Sequence, residues 1–167
     1  MIKYPAWGTP ASGNNFQWPS KEDIDAMDDI DFHLKSLSFK SANDGMNTGI
    51  CCVTVTLSNG ETSGELAVEG ANPRTSGVIH FPSKKKDDRI RKVQSYCDSE
   101  GVYNIFFKDE MGNVISKYDP KNYGEIAMIK NEIESHHEII GIYGTQPNMS
   151  SNIFSSLGLI AISRFGN

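Results

Sequence analysis

No apolar run in this 167-residue chain approaches the ~20 residues a helix needs to cross a bilayer, so membrane insertion is not expected. The opening MIKYPAWGTP has no hydrophobic stretch that would serve as a secretory signal. Cysteine is scarce, with only Cys51, Cys52 and Cys97. An odd number with two adjacent residues gives neither a disulfide framework nor a CxxC zinc pattern. Neighbouring strand residues face opposite sides, so Cys51 and Cys52 are expected to be buried, reduced thiols that do not act on one ligand together. Base is also in deficit, at 16 Lys+Arg against 21 Asp+Glu and a net charge of −5. Nucleic-acid binding needs a net basic footprint and is not expected. No GxSxG elbow, GxxxxGK[ST] loop or HExxH pair occurs in the sequence, which leaves no residue to nominate for catalysis or for a cofactor.

The acidity is local. Residues 20–31, SKEDIDAMDDID, hold six acids and one base. They lack the central Gly and closing Glu of a calcium loop, so they read as a solvated or docked acidic face. Ser20 followed by Asp23 forms a capping-box pattern, and the spacing predicts a short helix over 21–29 with Ile24 and Met27 as its apolar positions. Pro5, Pro10 and Pro19 precede it, and proline fixes φ and lacks a donor, so residues 1–19 are expected to run extended. The chain therefore divides into an extended arm with a short acidic helix, 1–31, and a main domain, 32–167. Within the arm, Tyr4, Trp7, Phe16 and Trp18 are the large aromatics that would anchor it to a partner or to its own sheet.

From residue 32 onward the hydrophobic period is two. Val53, Val55 and Leu57 alternate with Thr54 and Thr56; Tyr103, Ile105 and Phe107 form a second such row, Ile140 and Ile142 a third, and Leu157, Leu159 and Ala161 a fourth. Turn pairs separate the runs at Asp44-Gly45, Asn59-Gly60, Glu100-Gly101 and Gly112-Asn113. The pattern gives about nine strands and an all-β domain. Runs beginning near Leu34, Ile90 and Ile139 resemble one another at a spacing of roughly fifty residues, which suggests three sheet units packed as a prism.

Two clusters invite a sharper reading. His136-His137-Glu138 has metal-ligating residue types, but on a strand the imidazoles point apart and on a turn nothing fixes them, so no metal site is expected. Lys84, Lys85, Lys86, Arg89, Arg91 and Lys92 form a basic patch offset by Asp87 and Asp88. It reads as a solvated loop or as a contact for an acidic protein surface.

The stretch Arg89-Ile90-Arg91-Lys92-Val93 through Tyr103-Asn104-Ile105-Phe106-Phe107-Lys108-Asp109-Glu110-Met111-Gly112 continues into Tyr123-Gly124, Glu138-Ile139-Ile140-Gly141-Ile142-Tyr143-Gly144 and Ser156-Leu157-Gly158-Leu159. This order resembles the jacalin-like lectins over roughly residues 87–162, and Ala6-Trp7-Gly8 with Gly13 is similar to that family's opening segment. The resemblance implies a β-prism of three antiparallel Greek-key sheets. It also implies sugar contacts from a glycine-rich first loop and from a GxxxD loop near the C-terminus, whose Asp accepts from sugar hydroxyls. Here Ser151-Asn152-Ile153-Phe154-Ser155 puts serine at both the Gly and Asp places, and the first loop reads Gly8-Thr9-Pro10-Ala11-Ser12. A hydroxyl cannot supply the charge-assisted acceptors of a carboxylate.

The expectation is therefore a non-catalytic module acting as a structural or adaptor subunit of a larger intracellular protein assembly, cytoskeletal or ciliary, or else mitochondrial. The alternative is a mannose- or galactose-type lectin with altered loops, whose sugar-site remnant would be Gly144, Thr145, Asn152 and Ser155. Protein subunits and glycans are the partners these two readings imply.

Overall fold

The computed structural model describes residues 1–11, 14–27, 31–81, 90–121, 123, 127–147 and 151–163. Among these residues there is one short helix, and thirteen strands build three antiparallel sheets, which we call A, B and C. Sheet B contains β4 (Leu34–Asp44), β5 (Asn47–Leu57), β6 (Leu66–Ala67) and β7 (Thr75–His80), in the order β6-β5-β4-β7. Sheet C contains β8 (Lys92–Cys97), β9 (Ile105–Lys108), β10 (Val114–Tyr118) and β11 (Ala127–Glu132), in the order β10-β9-β8-β11. In both, three consecutive strands pair in turn and the fourth returns beside the first, which is a Greek key.

Sheet A closes the same pattern with the two ends of the chain. β12 (His137–Thr145) pairs with β13 (Ser156–Ser163). β1 (Ile2–Lys3) and β2 (Trp7–Gly8) lie in succession along β13, and β3 (Asn15–Trp18) lies along the free side of β12. The first strands of the three keys, at Leu34, Lys92 and His137, match the repeated runs read from the sequence.

Alternation places the core as expected. Val53, Val55 and Leu57 are buried while Thr54 and Thr56 are not, and Tyr103, Ile105, Phe107, Ile140, Ile142, Leu157, Leu159 and Ala161 are all buried. Phe39 stacks on Tyr118 at 5.1 Å, and the Ser41 and Tyr118 hydroxyls meet at 2.6 Å, joining sheets B and C. At one end of the prism, Ile50 donates its N–H to the Val102 carbonyl (2.9 Å) and accepts from Phe154 N–H (2.9 Å). One residue of sheet B thus ties together the β8–β9 and β12–β13 connections.

Four features differ from the sequence reading. First, residues 1–18 supply β1, β2 and β3 to sheet A, so the arm is woven into the prism and the division at residue 31 does not separate two units. Second, the helix α1 spans Lys21–Asp25 only; Ser20 and Asp23 make the reciprocal capping box, Ile24 and Met27 pack on the core, and residues 28–30 lie outside the described ones. Third, four short strands, β1, β2, β3 and β6, lie outside the nine read from the sequence, because two to four residues are too few for alternation to repeat. Fourth, Cys51 and Cys52 do not face apart. Lys40 pairs with Cys52 and Ser41 with Ile50, which leaves Cys51 as the extra residue of a bulge. The bulge breaks the alternation and brings the two Sγ atoms to 3.5 Å. Burial pushes the Cys51 thiol up to about 12 and raises Cys52 and Cys97 as well. All three are free thiols.

Candidate functional site

The resemblance places sugar contacts where the β2–β3 and β12–β13 connections meet. The structure brings these connections together at one end of sheet A. Thr9 N–H donates to the Ser155 carbonyl (3.0 Å), Gln146 N–H to the Asn14 carbonyl (2.9 Å), and Ala11 N–H to Thr145 Oγ1 (3.1 Å). Segments more than a hundred residues apart in sequence are clasped there by backbone groups.

The four sugar-site candidates have definite places in this clasp. Thr145 Oγ1 lies 2.6 Å from Ser155 Oγ and 2.7 Å from Ser156 Oγ, and all three residues are buried. Ser155 Oγ also reaches the carbonyls of Thr145 (3.1 Å) and Gln146 (3.3 Å). Its single proton is directed to these groups within the fold and the side chain is buried, so the residue standing at the Asp place is turned inward. Gly144 is buried, and a Cβ there would collide with the Ser156 carbonyl oxygen and press on the Phe16 ring. Asn152 donates Nδ2–H to the Asn43 carbonyl (3.1 Å), tying the last connection to the end of β4. Between them Ile153 is fully buried against Gly49 and Gly101, where any side chain on either glycine would strike it. The segment between Ser151 and Ser155 is thus an apolar plug with a polar hem.

Gln146 contributes most to the site's surroundings. Its side chain accepts from Glu69 N–H (3.2 Å) and donates to the Ala67 carbonyl (2.8 Å), so the chain after β6 is held against the end of sheet A. Glu69 is exposed there. Gln146 holds the backbone of this residue through its N–H, and Glu69 comes from sheet B's connection, not from the last loop. Sequence reasoning missed this, since no local pattern relates residues 69 and 146. Ser12, Gly13 and residues 148–150 lie outside the described residues.

The arm aromatics are placed in the chain's own fold. Trp7 is 1% exposed, on β2 opposite Leu157. Tyr4 is buried, and its hydroxyl lies 2.6 Å from His137 Nδ1. Phe16 packs on Phe154 with centroids 4.7 Å apart, and Trp18 pairs with Ile142; both are half-buried. Tyr4 and Trp7 are therefore core residues here and not anchors offered outward, because β2 completes an edge that β13 would otherwise leave unpaired. Of the basic patch, Arg91 and Lys92 are half-buried at the start of β8, and Lys84, Lys85, Lys86 and Arg89 lie outside the described residues.

No family model matches the sequence, and no curated protein matches it either. Solved structures do match. PirB superposes with a TM-score of 0.66 at 15% identity over 96% of this chain, which spans 38% of PirB. A single-chain recombinant jacalin superposes with a TM-score of 0.63 at 16% identity, covering 97% of this chain and 93% of jacalin. A mannose-binding lectin from Champedak gives 0.60 at 16% identity, with 96% of each chain covered. The chain folds as a jacalin-like β-prism with three Greek-key sheets.

Proposed function

We propose that this protein is a non-catalytic carbohydrate-binding module that takes its glycan at the clasped end of sheet A, with an acceptor carboxylate supplied by Glu69 in place of the serine at position 155. The observation that supports this reading is the Gln146 bridge to the Ala67 carbonyl and the Glu69 backbone N–H, which brings the exposed Glu69 beside the joined β2–β3 and β12–β13 connections. Lectin structures with this fold, one of them described as mannose-binding, cover nearly all of the chain. An exposed carboxylate is a stronger acceptor for sugar hydroxyls than a neutral hydroxyl, by roughly a factor of two per bond. A site whose carboxylate is exposed favours oligosaccharides, which gather several weak contacts, over a monosaccharide.

A glycan array probed with the full chain, followed by titration of the best ligand, tests the proposal. Saturable binding is expected, with Glu69→Gln and Gln146→Ala each weakening it at least fivefold. Absence of binding to every glycan, or equal binding by both variants, overturns it.

A second reading, a structural or adaptor subunit of a larger assembly, draws on a different observation. The β11 edge of sheet C exposes Met128 (47%) and Ile129 (42%), an apolar pair on a strand with one unpaired side. Retention of a protein partner by the Glu69→Gln variant and its loss on Ile129→Lys would favour that reading.

A further inference from the structure

We propose that the turn between β11 and β12 is a binding site for one divalent cation of the Zn2+ type, held by Glu134, His136 and His137. The site stands apart from the carbohydrate reading. β12 runs from His137 to Thr145, and at ~3.3 Å per residue its two ends lie about 26 Å apart.

The turn is what assembles the ligands. His137 N–H donates to the Glu134 carbonyl (3.0 Å), so residues 134–137 reverse the chain, and Ile133 N–H donates to the Arg91 carbonyl (2.7 Å), fixing where the turn begins. A reversed chain does not obey strand alternation. Glu134, His136 and His137 therefore project one ligand atom each into a common space, all within 4.8 Å of one another. Glu134 Oε2 lies 3.3 Å from His136 Nε2 and 3.5 Å from His137 Nε2. With metal bonds of about 2.0–2.2 Å, a tetrahedron has edges of about 3.3–3.6 Å, whereas cis ligands of an octahedron are only about 2.8–3.1 Å apart. The two Glu134 spacings match a tetrahedral edge. Two imidazoles and a carboxylate suit Zn2+ better than Mg2+ or Ca2+, which prefer oxygen donors. Three protein ligands leave the fourth position for water.

Tyr4 supplies the support that a metal-bound histidine requires. Its hydroxyl oxygen accepts from Glu134 N–H (3.2 Å) and lies 2.6 Å from His137 Nδ1. With the proton on Nδ1, His137 donates to Tyr4 and turns the Nε2 lone pair toward the cluster. A hydrogen bond on the far nitrogen is the usual device for fixing tautomer and ring direction at such sites. Tyr4 is itself buried between β1 and β2, so a cation here would tie the N-terminal strands to the β11–β12 turn. Glu134 and His136 are exposed, which leaves an open path for entry.

Titration calorimetry of the untagged full chain with ZnCl2, paired with thermal melts, tests the site. The expected result is one Zn2+ per chain and a melting temperature raised by Zn2+. Glu134→Gln, His136→Ala and His137→Ala should each weaken binding at least tenfold, and Tyr4→Phe about tenfold, the scale of lost ligand support. The Cys51→Ser/Cys52→Ser variant should bind as the parent does. His136→Ala and Glu134→Gln change exposed groups and keep the test sound if another variant folds poorly. Lack of saturable uptake, uptake unchanged in His136→Ala/Glu134→Gln, or uptake lost with the cysteines overturns the proposal.

Discussion

Sheets A and C share a strand order but are built by opposite routes. Sheet C is one continuous run of chain from Lys92 to Glu132, so all four of its strands come from neighbouring sequence. Sheet A gathers β1, β2 and β3 from the N-terminus and β12 and β13 from the C-terminus. Its packing relies on missing side chains. A Cβ on Gly141 would collide with the Trp18 carbonyl oxygen, one on Gly144 with the Ser156 carbonyl oxygen, and one on Gly158 with the Tyr143 ring. Sheet C is held more by side chains, with Val93, Ile105 and Phe107 inward and the ring pair Tyr96 and Tyr123 stacked at 5.7 Å. The same Greek key can thus be secured by distant backbone approach or by local side-chain packing.

The comparison is sharpest at Trp7 and Phe107, one fully buried aromatic from each sheet. Alanine at either position should cost ~3–5 kcal/mol through lost burial and a residual cavity, read by urea denaturation. Equal losses would establish the N-terminal strands as integral to the domain; a loss under ~1 kcal/mol at Trp7 would break that view. Next in size is Gly141→Ala, where forcing strands apart should cost ~1–3 kcal/mol. Gly112 on the sheet C turn has open space but a φ of +89°, so Gly112→Ala should cost only ~1 kcal/mol from the left-handed backbone. A reversed order would mean that backbone crowding in sheet A relaxes freely.

Ser155→Ala should cost about 1 kcal/mol, the net worth of its internal hydrogen bonds. It should leave glycan binding unchanged if the hydroxyl is structural. The last effect is absent at neutral pH and emerges in alkali. Burial is the main cause raising the thiols of Cys51, Cys52 and Cys97 and the phenols of Tyr4, Tyr103, Tyr123 and Tyr143 above their ordinary values of 9.0 and 10.0; Tyr123, for example, is pushed up to about 12. The folded chain then holds more protons than the unfolded one at high pH, so stability falls as pH rises. Melting temperatures should be flat through pH 8 and decline from about pH 9 upward. A flat profile to pH 11 would show that these groups are not buried as described.

Much of the fold was legible in the chain because a half-buried strand writes its own period. Val53, Val55 and Leu57 against Thr54 and Thr56 declare a face without any knowledge of what covers it. The capping box at Ser20 and Asp23 was legible for the same reason, since both partners lie within one turn. The candidate sites were not. Cys51 and Cys52 meet because a bulge, set by pairing with β4, cancels the alternation that would have parted them. Ser155 reads as a degraded ligand residue, yet its role as an internal tie depends on Thr145 lying across the hairpin. Glu134, His136 and His137 converge only because the chain reverses between β11 and β12.

By itself the sequence determined that this is an all-β chain of three related units with an acidic N-terminal segment, because alternation, turn residues and local charge are properties of neighbours. The tertiary structure alone decided that the N-terminal strands belong to the last sheet, that Gln146 brings Glu69 to its end, and that two histidines and a glutamate share one turn. Those outcomes depend on residues far apart in sequence, or on a change of chain direction, and neither leaves a periodic mark.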